Sequence, residues 1–140
     1  MKNKIECVLL IDDDKVTNFY NKKVLTKHEE FKEIIAVTSG ENALKHLTEA
    51  SKGLCLKPNL IFLDINMPAM NGWEFILEYN KLDKKFTKDI KLVMLTTSNN
   101  PDDYKRSKEI ETVNDFINKP LSIDLLSNLI ENHYEKKITY

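Results

Sequence analysis

A chain of 140 residues has the length of one ordinary domain, long enough to bury a core and short for two. Apolar residues at 41% and charged residues at 31% exclude the low-hydrophobicity composition of a disordered chain. A formal net charge of -1, from 21 basic and 22 acidic residues, gives no reason to expect a DNA or RNA partner.

In chain order, short apolar runs alternate with segments of helical period, the pattern of βα units that build a parallel α/β sheet. The first run is Ile5 to Ile11. Val16, Phe19, Tyr20 and Val24 then recur at helical spacing and predict a helix with that face turned to the sheet. Asp14 reads as an acid at the start of this helix, where it complements the helix dipole and needs no metal. The second run, Ile34 to Val37, precedes a helix with Ser39 as N-cap and Ala43, Leu44 and Leu47 on its inner face. Residues 51 to 58 form the one long connection and lead to the third run, Leu60 to Leu63.

The fourth run is Leu92 to Leu95. After it, Asn100-Pro101-Asp102-Asp103 sets a cap, a first-turn proline and two first-turn acids in order. On the helix that follows, only Tyr104 and Ile110 look able to bury apolar area, so it is expected to be weakly anchored. The fifth run, Val113 to Ile117, is less apolar, and Leu125, Leu126, Leu129 and Ile130 mark a final helix. Near-continuous hydrophobicity in the strands means burial on both faces. The core is expected to span about residues 5 to 134 of one domain, with Glu135 to Tyr140 fraying.

No apolar run approaches the roughly 20 residues that a membrane-spanning helix requires. Cys7 and Cys55 lack a CxxC spacing and no secretory leader is evident, which reads as two reduced thiols in a cytosolic protein. His28, His46 and His133 are scattered and give no zinc pattern.

In an open parallel sheet, ligands gather beyond the carboxyl ends of the strands. There the sequence sets Asp12-Asp13-Asp14 after the first run, Asp64 after the third, Thr96-Thr97 after the fourth and Lys119-Pro120 after the fifth. Clustered carboxylates raise one another's pKa unless a cation neutralises them, so Asp12, Asp13 and Asp64 are expected to crowd the metal-free protein. Mg2+ suits them, since it is held by one or two carboxylates and retains water, whereas calcium takes more oxygens. A metal beside a nucleophilic carboxylate, with a lysine and a hydroxyl opposite, is what phosphoryl transfer to aspartate needs. A carboxylate is already ionised at neutral pH, so no histidine base is required. Taken singly, Thr96 also suits a helix cap and Phe116 suits ordinary core.

The segments LLIDDD, FLDINMPAMNG, VMLTTS and FINKP together resemble the successive signatures of the response-regulator receiver family, over nearly the whole chain. The resemblance implies a flavodoxin-like (βα)5 doubly wound fold, a five-stranded parallel sheet with helices on both faces. It implies Asp64 as phosphoryl acceptor, and Asp12, Asp13, Asp64 and the Asn66 backbone carbonyl as Mg2+ ligands. Thr96 would be the switch hydroxyl, Lys119 the cationic partner of the phosphoryl group, and Phe116 the aromatic whose rotamer follows phosphorylation. The Lys119-Pro120 bond would be cis. The phosphodonor would be a sensor histidine kinase or a histidine phosphotransfer protein, and output would pass to a downstream protein target, with no direct DNA contact and no membrane. Residues 1 to 140 would be a stand-alone cytoplasmic regulator with no output domain, catalysing only its own phosphorylation and dephosphorylation.

Two positions depart from the family pattern. Thr97 is β-branched where a very small residue is usual, and Glu109-Ile110-Glu111-Thr112 lacks the usual glycine. A rival reading takes LIDDDKVT as the nucleophile motif of a haloacid-dehalogenase-like phosphohydrolase acting through Asp12. Its further carboxylate pair would be Asp102-Asp103, which lies just inside a helix, and no cap domain fits the length.

Overall fold

The structure, a computed structural model, describes residues 5–134. The expected fraying of Glu135 to Tyr140 lies outside the described residues. Strands β1 (Ile5–Ile11), β2 (Phe31–Val37), β3 (Leu60–Leu63), β4 (Lys91–Thr96) and β5 (Asp115–Asn118) form one sheet in the order β2-β1-β3-β4-β5. Every pairing is parallel. Helices α1 (Lys15–Lys27), α2 (Gly40–Ser51), α3 (Gly72–Tyr79), α4 (Lys84–Thr87), α5 (Pro101–Glu109) and α6 (Ile123–His133) fill the connections. The sheet is therefore doubly wound, and the strand order reverses between β1 and β3, which opens a crevice at their carboxyl ends.

Alternation along the strands divides the core in two. Leu9, Ile11, Ile61, Leu63, Leu92 and Met94 face α2 and α3, packing with Ala43, Leu47, Phe75 and Ile76. Val8, Leu10, Phe62, Val93 and Leu95 face the other way, against Leu25 of α1 and Leu126, Leu129 and Ile130 of α6. Burial on both faces is what the unbroken apolar runs foretell.

The inner face of α1 departs from the sequence expectation. Val16, Phe19 and Tyr20 are 75%, 62% and 48% exposed, while Asn18, Asn21 and Leu25 point inward. Asp14 caps the helix, accepting from the Val16 amide at 2.9 Å and the Thr17 hydroxyl at 3.0 Å, which fixes the helical phase. In that phase the Asn18 side-chain amide donates to the Asp12 carbonyl, which a valine or phenylalanine would leave without that donor, and adds a second bond to the Val37 carbonyl.

Residues 64–71 form a second long connection beside that of residues 52–59, so the sequence expectation of a single one is corrected. It closes on Asn71, whose side chain accepts from the Glu74 amide while Glu74 accepts from the Asn71 amide, a capping box that starts α3. Helix α5 is weakly anchored, with Ser107 its one buried residue. Tyr104 is half exposed and meets Phe116 edge-on at 5.6 Å between ring centroids, and Arg106 lies 4.6 Å over the Trp73 ring.

Candidate functional site

The carboxyl ends of β1, β3 and β5 bring four charged side chains together. The Asp12 amide donates to the Val37 carbonyl at 3.2 Å, so the chain stays in register with β2 one residue beyond β1. The Asp64 amide donates to the Ile11 carbonyl at 3.0 Å, which sets Asp64 beside the acidic turn. The Lys119 amide donates to the Thr96 carbonyl at 2.8 Å, which fixes the end of β5 against that of β4. The Lys119–Pro120 bond is cis.

Asp12 and Asp64 are buried, whereas Asp13 is exposed. One carboxylate oxygen from each of the three lies within 4.8 Å of the others. The Lys119 ammonium donates in a short contact to Asp12 Oδ2 and lies 3.5 Å from Asp64 Oδ1. The crowding expected among three aspartates therefore falls on Asp12 and Asp64, with Lys119 partly neutralising both, while water screens Asp13. Asp12 Oδ1 also accepts from the Asp14 amide at 3.0 Å.

Burial, and next the charge of Asp12, push the Asp64 carboxyl up to about 6 against the opposing pull of Lys119. A protonated carboxyl does not bind a metal cation, so any affinity of this cluster for a divalent cation would fall as pH drops through about 6. Calorimetric titration with Mg2+ at pH 5 and pH 8 checks this, the expected loss being about tenfold per pH unit below that pKa. Equal affinity at the two values would mean that Asp64 takes no part in binding.

The loop after β3 lies tightly over the acceptor candidate. A Cβ on Gly72 would sit 2.7 Å from the Asp64 carbonyl oxygen and 3.0 Å from Ile65 Cα, so only glycine permits this approach. Asn66 is exposed in this loop. Thr96 is buried at the end of β4, and its hydroxyl oxygen accepts from the Ser98 amide at 3.1 Å. Ser98 in turn donates to Asp103 Oδ2 at 2.6 Å, so Asp103 serves the start of α5. Phe116 is half buried against Tyr104 and the core face shared with α2 and α3.

The donor set suits a small hard cation: three carboxylate oxygens and no nitrogen or sulfur, with one ligand residue at the surface. The sequence pattern alone left two contacts unseen: the pairing of Lys119 with Asp12, and the clasp of Asn18 on the Asp12 carbonyl. Residue spacing carries no signal for either, because each depends on where a side chain ends.

Comparison with known proteins covers almost the whole chain. Residues 8–131 match the family described as "Response regulator receiver domain". Response regulator Rcp1 of Synechocystis sp. is 30% identical over 130 residues, covering 92% of this chain and 86% of that protein. The crystal structure of the Mn(2+)-bound form of response regulator Rcp1 superposes with a TM-score of 0.72 at 29% identity, over 95% of this chain and 96% of that one. A two component response regulator from Cytophaga hutchinsonii gives a TM-score of 0.84 at 34% identity, over 91% and 96% of the two chains. A probable cyclic di-GMP phosphodiesterase of Vibrio cholerae is 31% identical over 98% of this chain, which spans only 29% of that protein's length.

Proposed function

The chain belongs to the response regulator receiver domain family, phosphorelay signalling modules, and from that premise we propose that it carries a phosphoryl group on Asp64 as its signalling state. The observation that carries this reading is the Asp12, Asp13, Asp64 and Lys119 cluster at the switch point of the sheet. An Asp64 carboxylate oxygen attacks phosphorus, a P–O bond forms, and the bond to the donor's leaving nitrogen or oxygen breaks. Lys119 holds positive charge beside the acceptor, and the Thr96 hydroxyl has a proton to donate to a phosphoryl oxygen. Asp12, Asp13, Asp64 and the Asn66 carbonyl would hold Mg2+, which when bound neutralises charge on the phosphoryl oxygens.

The donor is a sensor histidine kinase or a histidine phosphotransfer protein, and the output is contact with a downstream protein. No helix among the described residues is long and apolar enough to cross a membrane. The Mn(2+)-bound Rcp1 structure supports a divalent cation at this site.

Incubation with acetyl phosphate, with Mg2+ or with chelator, tests the proposal by intact mass. One phosphoryl group is expected on the chain with Mg2+ and none with chelator. Steady turnover of phosphate esters that depends on Asp12 and not on Asp64 would instead make the protein a phosphohydrolase.

Signalling follows from the same charge. A phosphoryl group draws the Thr96 hydroxyl toward it, Phe116 moves into the space released, and α5 yields because little apolar packing holds it. Hydrogen exchange with Mg2+ and beryllofluoride is expected to change protection across residues 96 to 120, and Thr96→Ala should abolish that change. Changes confined to residues 64 to 71 would leave Phe116 as plain core.

A further inference from the structure

Asn18 lies one turn into α1 and is only 4% exposed. Its side-chain amide donates twice, to the Asp12 carbonyl at 2.9 Å and to the Val37 carbonyl at 3.2 Å. The two carbonyls belong to the ends of neighbouring strands, so one side chain ties the acidic turn to β2. The same turn is held along the backbone, where the Asn18 amide donates to the Asp14 carbonyl at 3.0 Å. Asp14 completes the arrangement by donating from its own amide to Asp12 Oδ1 at 3.0 Å.

A buried asparagine is costly unless its polar atoms are bonded, and Asn18 Oδ1 has no partner. An apolar side chain would suit the core there better, so what the asparagine contributes is its two donated bonds. The Asp12 carbonyl is part of the peptide unit that joins Asp12 to Asp13. Fixing that oxygen fixes the peptide plane, and with it the direction in which the Asp13 side chain leaves the backbone. We propose that Asn18 is a positioning residue for the cation site: it orients the Asp12–Asp13 peptide so that both carboxylates converge with Asp64. The proposal rests on reading those three aspartates as metal ligands, and partners of this outer kind set metal affinity without touching the ion.

Asn21 supplies a matched control. It is 2% exposed on the same helix, and its Oδ1 also has no partner, yet no described hydrogen bond joins it to the acidic turn. Calorimetric titration of the full chain with Mg2+ alone, paired with thermal unfolding in chelator, separates positioning from packing. Asn18→Leu is expected to weaken Mg2+ binding by about tenfold or more, whereas Asn21→Leu should stay within about twofold of the parent. If Asn18→Leu does not fold, Asn18→Ala and Asn21→Ala are compared by the same criterion. Parent-like affinity in the Asn18 variant overturns the proposal, and so does an equal loss in both variants, which would make the effect one of core packing. A parent chain that binds no Mg2+ removes the metal-ligand reading itself, and the role of Asn18 falls with it.

Discussion

Replacing Lys119 with methionine should destabilise the metal-free protein by about 3 to 5 kcal/mol at pH 8, the cost of leaving buried charge without its partner. The Lys119 side chain is 13% exposed and those of Asp12 and Asp64 are 6% and 8%, so water can do little to replace the ammonium. Methionine keeps most of the aliphatic stem, which confines the change to charge. Without the cation, Asp12 and Asp64 repel each other and one is driven to bind a proton. The loss should therefore shrink at pH 5, where a proton serves in place of lysine, and Mg2+ at pH 8 should restore part of it by binding only the folded state. Chemical unfolding at both pH values, with and without Mg2+, measures all of this. A loss equal at pH 5 and pH 8 would show that Lys119 acts through its stem and that the charge pairing contributes little.

Replacing Asp64 with asparagine should end phosphorylation and, in the same molecule, stabilise the metal-free fold. Asp64 is held near a pKa of about 6, above the ordinary carboxyl value of 3.8, because burial and Asp12 disfavour its ionised form. The sign follows from proton counting: between about pH 4 and pH 6 the folded chain binds the proton and the unfolded chain does not. Stability from this group therefore falls as pH rises through that window, and above it the native state carries a penalty of about 3 kcal/mol. The asparagine side chain would carry no such penalty, so the variant should exceed the parent in stability at pH 8 and match it near pH 4. Denaturant midpoints across that range check the prediction. A variant no more stable than the parent at pH 8 would place the strain of the site elsewhere.

Much of the fold is legible before any coordinates because its strands are buried on both faces. Leu9, Ile61 and Leu92 pack to one side while Leu10, Phe62 and Val93 pack to the other, so the central strands β1, β3 and β4 are apolar on both faces past Glu6 and Lys91, whereas the edge strands β2 and β5 carry Lys32, Glu33 and Asp115. Ser39 and Asn100 cap the helices they were expected to cap, since each side-chain oxygen meets an amide of its own first turn. Helix α1 is the instructive exception. Of its four spaced apolar residues Val24 packs on the core, whereas Val16, Phe19 and Tyr20 are left in solvent because hydrogen bonding of Asn18 at the strand ends outweighs their burial. Helix α3 buries Gly72, Trp73, Phe75, Ile76 and Tyr79 on one face and leaves Glu74 and Leu77 outside, but over eight residues, with an apolar Leu77 on the outer face, that stripe is too short to stand out in the sequence. At the site, position after a strand reveals Asp12, Asp64, Thr96 and Lys119. It does not reveal that Asp13 is exposed while Asp12 is buried, a difference created by how the turn is held.

The central claim, that Asp64 receives the phosphoryl group, is tested most directly by locating the modification. The chain is treated with acetyl phosphate and Mg2+, trapped with borohydride, which reduces an aspartyl phosphate to homoserine, and digested for peptide mass mapping. The expected result is homoserine at residue 64 alone, absent when chelator replaces Mg2+. Homoserine at Asp12 or Asp13 with Asp64 unmodified would contradict the account.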